Sequence, residues 1–314
     1  MAKPIKTLVV DLATTLREEV LPMLGAHAGR AHAGEAEGGD VTFAIDERAE
    51  ARMERFLSDR APEVAFYSED RGMVSPAGRG SEWVLICDPI DGTRPALAGL
   101  ESCCVSIAAA RLDSEPTMGD VRIGCILELK SGALFVAERG GGLEPAPSLS
   151  GNAEIERMLW TYGLRGRPVR ALMEVLAELV DASSVGGASF DLGSATFDMT
   201  RIATGQLDAY IEPGPRIVDD VPGMLEEFER IGRGAVLNNS PYDLAAAALC
   251  LEEAGAVVTD AYGETLAPRP LLGSSHEFQI SCVAAANAEL HGAICASIDA
   301  GIERLRAAGS PPAL

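Results

Sequence analysis

Five short runs between residues 64 and 138 limit the possible folds of this chain more than any other feature. VAFYS, WVLIC, CCVSIAAA, RIGCILEL and ALFVAE read as strands, and several are apolar at nearly every position. A strand with one wet face alternates; these do not, so their sheet must be covered on both sides. Helical spacing of Ile5, Leu8, Val9, Leu12, Leu16 and Val20 supplies one cover, ending near Gly25. Ile45, Ala49, Met53, Phe56 and Leu57 supply a second. Between them the small, Gly-rich residues 26–39 are expected to form a mobile loop.

The pattern restarts near residue 150, past GGGLEPAPSLSGN. A strand at MLWTYG, a helix over 168–182, a further helix after SVGGASFDLGSA and the strand DAYIE come first. The helix DLAAAALCLEEAG, the strands AVVTD and FQISCVAAA, and a last helix over about 286–307 follow. Two successive halves of mixed strands and helices predict stacked sheet and helix layers, divided as 1–150 and 151–314.

Composition narrows the partners. With 26 basic against 47 acidic residues the net charge is -21, which argues against nucleic acid and against an anionic membrane surface. No run of 18 apolar residues is present, and the N-terminal stretch reads as an amphipathic helix rather than a secretory signal. Seven Cys residues with no C-x-x-C pair read as buried, reduced thiols of a cytoplasmic protein.

Four segments place acids at loop positions: Asp40 and Asp46 in GGDVTFAID, Glu69 and Asp70 in YSED, Asp88 and Asp91 in DPIDGT, and Asp243 in SPYDLAAAA. Asp46 and Asp243 have the alternative of capping helices, and YSED that of an exposed turn. DPIDGT resists such a reading, because a turn after a buried strand does not need two acids and a hydroxyl. An all-oxygen carboxylate cluster suits a hard cation such as Mg²⁺. The four His residues fit no ligand pattern, and no G-x-S-x-G, P-loop or Rossmann fingerprint occurs. Metal-assisted displacement remains, with phosphoryl transfer as its commonest form.

DPIDGT after WVLIC, with GGDVTFAID and YSED before it and YDLAAAALCLEEAGAVVTDAYG after it, resembles the inositol monophosphatase family. That superfamily includes fructose-1,6-bisphosphatases and nucleotide 3′-phosphatases. The resemblance implies a layered α-β-α-β-α sandwich of mixed α/β class. It also implies a Mg²⁺-dependent, lithium-sensitive phosphomonoesterase, a homodimer acting on a small phosphate ester. Inositol monophosphate is the first substrate expected, then fructose-1,6-bisphosphate, then a nucleotide 3′-phosphate; a non-catalytic metal-binding relative is the rival.

By position, Glu69, Asp88 and the Ile90 carbonyl would hold one Mg²⁺, with Asp70 the alternative to Glu69. Asp88, Asp91 and Asp243 would hold a second, and Asp46 would steer a third through water. Thr93 and Glu69 would orient and deprotonate the attacking water, with the amides of Gly92 and Thr93 facing the phosphate. Glu212 would grip substrate hydroxyls above a floor of Gly193, Ser194, Ala195 and Thr196. The chain departs from the family at Arg94, Pro95 and Ala96 after DGT, at Tyr242 for a Trp, and at Glu35 for a Lys. These departures spare the metal ligands and bear on substrate choice.

Residues 213–240 are extra relative to the close family pattern. Met224, Leu225, Phe228 and Ile231 predict a short amphipathic helix between flexible arms. It would serve either as a lid, with Arg216, Arg230 or Arg233 holding a second phosphate, or as an excursion packed on its own half.

Overall fold

A computed structural model describes residues 4–36, 39, 41–75, 81–112 and 115–308; Asp40 lies outside the described residues. Seven strands form the first sheet. Their order is Gly72–Val74, Ala65–Ser68, Trp83–Asp91, Cys104–Arg111, Val121–Glu128, Leu134–Glu138, Gly142–Glu144. All pairs are antiparallel except that of Ala65–Ser68 with Trp83–Asp91. The second sheet has five strands, ordered Ala188–Phe190, Leu159–Tyr162, Ala209–Glu212, Cys282–Ala285, Val257–Thr259.

Strand periodicity sets the layering. Leu85, Cys87, Val105, Ile107, Cys125 and Leu127 face helices Ile5–Val20 and Ala44–Arg60, which bury Leu8, Leu12, Leu16, Ile45, Ala49 and Met53 against them. Alternate residues Val84, Ile86, Cys104, Ala108 and Ile126 face the other way, into a core with helices Ala195–Ala203 and Pro241–Ala254. Tyr210, Cys282 and Ala284 of the second sheet close that core from beyond. The far face of the second sheet, Trp160, Ile211, Val283 and Ala285, packs on helices Val169–Ser183 and Ala288–Ala308. The result is the expected α-β-α-β-α sandwich of mixed helices and sheets.

The middle helix explains its own composition. Ala245 to Ala248 are buried, and a Cβ on Gly124 would lie 2.7 Å from the Ala246 carbonyl oxygen. Small residues on both sides let the helix sit directly on the sheet.

Two expectations change. Within residues 26–39 the chain forms a 3-10 turn, His27–Arg30, and a strand, His32–Glu35, which pairs antiparallel with Val41–Phe43. The low apolar content of HAGE concealed that strand. In the extra segment, the helix Met224–Ile231 exists as predicted, but a second helix, Gly214–Asp220, precedes it. Met224 and Phe228 are buried with Leu176, Ile217 and Ile298, so the apolar face packs on its own half. Arg216 is buried in pairs with Asp220 and Asp299, and Arg230 pairs with Glu227. Neither side chain faces the cavity described below.

Candidate active site

The strand Trp83–Asp91 carries the site, and a bulge makes it possible. Asp88 sits opposite Ser106 and Asp91 opposite Cys104, so three steps on one strand match two on the other. Residues three apart on a regular strand face opposite sides; the extra residue brings both carboxylates to one side. The sequence placed the strand's end at Cys87, whereas it continues through DPID. Gly92 then turns the chain with φ of +89° into the short helix Thr93–Ala98. A Cβ at Gly92 would lie 2.5 Å from the Ser102 carbonyl oxygen and 2.9 Å from Ser194 Cβ. Only glycine fits.

This turn opens on a cavity of about 360 Å³ lined by Glu69, Asp88, Ile90, Asp91, Gly92, Thr93, Arg94, Pro95, Leu100, Arg165, Asp191, Leu192, Gly193 and Asp243. Carboxylate oxygens of Asp88, Asp91 and Asp243 lie within 4.8 Å of one another. Each acid is also tied to backbone. Asp88 Oδ1 accepts from Ile90 N at 2.9 Å. Asp91 Oδ2 accepts from Ser194 Oγ at 2.8 Å and Thr196 N at 2.7 Å. Asp243 Oδ2 accepts from Ser240 N at 2.6 Å, inside the first turn of its helix. Capping and site-building are therefore one role for Asp243, not alternatives.

Asp46 shares that double use. Its Oδ2 accepts from Phe43 N at 2.9 Å, as a helix-start acid does, and its Oδ1 accepts from Thr93 Oγ1 at 2.9 Å. Thr93 Oγ1 also lies 3.2 Å from the Ile90 carbonyl oxygen. Of the two acids in YSED, Glu69 lines the cavity, while Asp70 Oδ1 accepts from Thr42 Oγ1 at 2.6 Å.

Burial raises the pKa of Asp88 well above the carboxylate range, and the charges of Asp91, Glu69 and Asp243 push it further. Asp91 is raised by burial, against the bonds from Thr196 and Ser194 and the nearby Arg165. Asp243 is raised by burial and by Asp91. Two buried carboxylates and a half-buried third, joined in the cavity by Glu69 and Asp191 against the guanidiniums of Arg94 and Arg165, are short of positive charge. An all-oxygen set this close matches the needs of a hard divalent cation, so these residues fit the metal that the sequence suggested.

Glu212 lies away from the main cavity. It was expected to meet substrate, but it is fully buried, ion-paired with Arg167 and bonded by Gly214 N at 2.8 Å. It lines no described cavity bordering the carboxylates, and neither is it a solvated strand-end acid. The guanidinium five residues after the strand Leu159–Tyr162 was the missing information. Gly193 lines the main cavity with φ of +80°, Ser194 binds Asp91, and Ala195 lines a smaller adjoining cavity. Thr196 instead holds the Asp243 carbonyl through Oγ1 at 3.0 Å.

Sequence reading missed Arg165 and Asp191. Both follow strands of the second sheet, in YGLRGR and SFDLG, whose ends point at the same cavity. The departures from the family pattern are used locally: the Arg94 guanidinium lies 5.6 Å from the Phe43 ring centroid, and Tyr242 stacks on Tyr67 at 6.5 Å.

A bulged strand aiming paired carboxylates into a cavity between two sheets, sandwiched in five layers, defines a carboxylate-centred α-β-α-β-α protein. Residues 2–303 match the inositol monophosphatase family, and the chain belongs to it. It is 27% identical over 305 residues to a fructose-1,6-bisphosphatase/inositol-1-monophosphatase from Methanothermobacter thermautotrophicus, covering 94% of this chain and 96% of that one. It is 26% identical to Nus factor SuhB from Vibrio cholerae, covering 72% and 74%. The solved structure of an IMPase from Thermotoga maritima superposes with a TM-score of 0.68 at 19% identity, covering 95% and 98%. The family is one of phosphatase-type hydrolases.

Proposed function

We propose that this chain is a Mg²⁺-dependent phosphomonoesterase acting on a small polyol or sugar phosphate, an inositol monophosphate first. The observation that carries this is the convergence of Asp88, Asp91 and Asp243 on a cavity that also holds Glu69 and Thr93. Asp88, Asp91 and Asp243 would hold one ion, and Glu69, Asp88 and the Ile90 carbonyl another. Asp46 stands behind them. When bound, Mg²⁺ would offset the clustered negative charge and draw electron density from the phosphoryl group.

The chain's own groups divide the remaining work. Asp46 holds the Thr93 hydroxyl through its proton, which fixes Thr93 Oγ1 as an acceptor toward the cavity. That oxygen orients the attacking water, and Glu69 takes its proton. The Gly92–Thr93 turn directs backbone amides at the phosphate. Arg165 and Arg94 supply positive charge at the rim, in a chain too acidic to attract an anion by its overall field. A homodimer in the cytoplasm belongs to the same reading.

The test is phosphate release from inositol 1-phosphate, fructose-1,6-bisphosphate and an adenosine 3′,5′-bisphosphate, with Mg²⁺ and with EDTA. Metal-dependent release, fastest on inositol 1-phosphate and inhibited by lithium, is expected. No release from any ester at millimolar Mg²⁺ would leave the non-catalytic alternative standing, a role in keeping with relatives named Nus factor.

A further inference from the structure

A second cavity, about 60 Å³, adjoins the first and shares Asp91, Arg165, Asp191, Gly193 and Asp243 with it. Its other wall includes Asp198, Tyr210 and residues 237–239. Buried polar atoms without a protein partner gather along that wall: both amide atoms of Asn238 and Arg167 Nε. Each such atom costs about 1–3 kcal/mol if left unmet, and native proteins rarely collect several in one place without a partner. Tyr210 Oη accepts from Asn239 Nδ2 at 2.7 Å, so its own proton remains to be given.

The chemistry of this wall is that of hydroxyl recognition. Asn238 offers one donor group and one acceptor, and Tyr210 a hydroxyl. Arg167 is neutralised by Glu212, and Arg165 stands among Asp91, Asp191 and Asp243, so little positive charge is left over for a second phosphate. Asn238 belongs to the extra segment, whose return past Val236 brings residues 237–239 over the Ala209–Glu212 strand end. A Cβ on Gly214 would lie 2.3 Å from Asn238 Oδ1, so that strand end is shaped around the amide.

We propose that Asn238 is a specificity-determining residue, and that the side cavity takes the ring hydroxyls of a polyol monophosphate, a task Glu212 cannot perform while paired with Arg167. This rests on the phosphomonoesterase reading and deepens it: the substrate carries hydroxyls, rather than a second phosphate, beside the ester.

The experiment compares wild type, Asn238→Ala and Asn238→Asp in Mg²⁺ on inositol 1-phosphate and on p-nitrophenyl phosphate, which has no hydroxyls to read. Both variants should lose about tenfold in kcat/KM on the inositol ester, as expected for one donor–acceptor pair, and stay within twofold on the aryl ester. Equal loss on both substrates would make the residue structural; no loss on either would make the cavity a water site. Either result overturns the proposal. Calorimetric binding of inositol 1-phosphate in Ca²⁺ runs beside the assay. If the wild type turns over nothing, the enzyme reading fails, and binding weakened about tenfold by Asn238→Asp still upholds the hydroxyl site, whereas unchanged or absent binding refutes it.

Discussion

Glu50 should make the protein less stable as pH rises, and Glu50→Gln should remove that dependence. Glu50 lies one turn after Asp46 in the helix Ala44–Arg60 and is 1% exposed. Ser68 Oγ donates to its Oε2 at 3.0 Å, and its Oε1 is buried with no partner. Burial, reinforced by Asp70 and opposed by Ser68 and Arg71, raises its pKa from 4.5 to about 8. Between those values the folded protein keeps a proton that the unfolded chain has released. The associated stability is complete below pH 4.5 and is lost progressively up to about pH 8. At 1.36 kcal/mol for each pH unit across that window, the loss is roughly 5 kcal/mol at most. Glutamine carries no charge at any of these pH values. The two proteins should therefore match near pH 4.5 and diverge by several kcal/mol at pH 8.5, with the variant the more stable. Urea unfolding at constant slope, in EDTA from pH 5 to 8.5, measures the difference and cancels titrations common to both. Parallel stability profiles would refute the reasoning, since they would mean that the carboxyl ionises without cost.

Three further outcomes follow from individual contacts. Gly92→Ala must adopt a left-handed backbone against the Ser102 carbonyl, and should lose roughly 2–5 kcal/mol by urea unfolding. Arg167→Met leaves the Glu212 carboxylate buried and unpaired, and should cost about 3–5 kcal/mol in thermal or urea unfolding; adding Glu212→Gln should restore most of it. Thr93→Val removes the hydroxyl held by Asp46, and should lower kcat at least tenfold with little change in Tm.

Much of this architecture is legible in the chain because burial writes a strong pattern. WVLIC and CCVSIAAA lack a polar face, and in the fold neither has a wet one. The helices marked by Leu8, Leu12 and Leu16 and by Met224 and Phe228 follow from spacing alone. Pairing is harder to see. HAGE becomes a strand because Val41–Phe43 lies beside it, and nothing local says so. The bulge between Asp88 and Asp91 depends on register with Ser106 and Cys104, so the sequence shows two acids but not that they face one way. The ion pair of Glu212 is hidden in the sequence for a similar reason. The fate of that acid is decided by Arg167, forty-five residues earlier, which meets it only because strands Leu159–Tyr162 and Ala209–Glu212 pair in parallel. Arg165 and Asp191 went unnoticed because isolated charged residues after strands are common on any surface.

The central claim is that Asp88, Asp91 and Asp243 form a cation-dependent phosphatase centre. Titrating Mg²⁺ into metal-stripped wild type and Asp91→Asn, with phosphate release from inositol 1-phosphate and Tm read on the same samples, tests it most directly. The account predicts activity that rises from zero with Mg²⁺ in the wild type and stays more than a hundredfold lower in the variant. Without metal, the variant should melt no lower than the wild type, because one of three mutually repelling carboxyl groups is gone. Near-normal turnover by Asp91→Asn, or wild-type turnover indifferent to Mg²⁺ and EDTA, would contradict it.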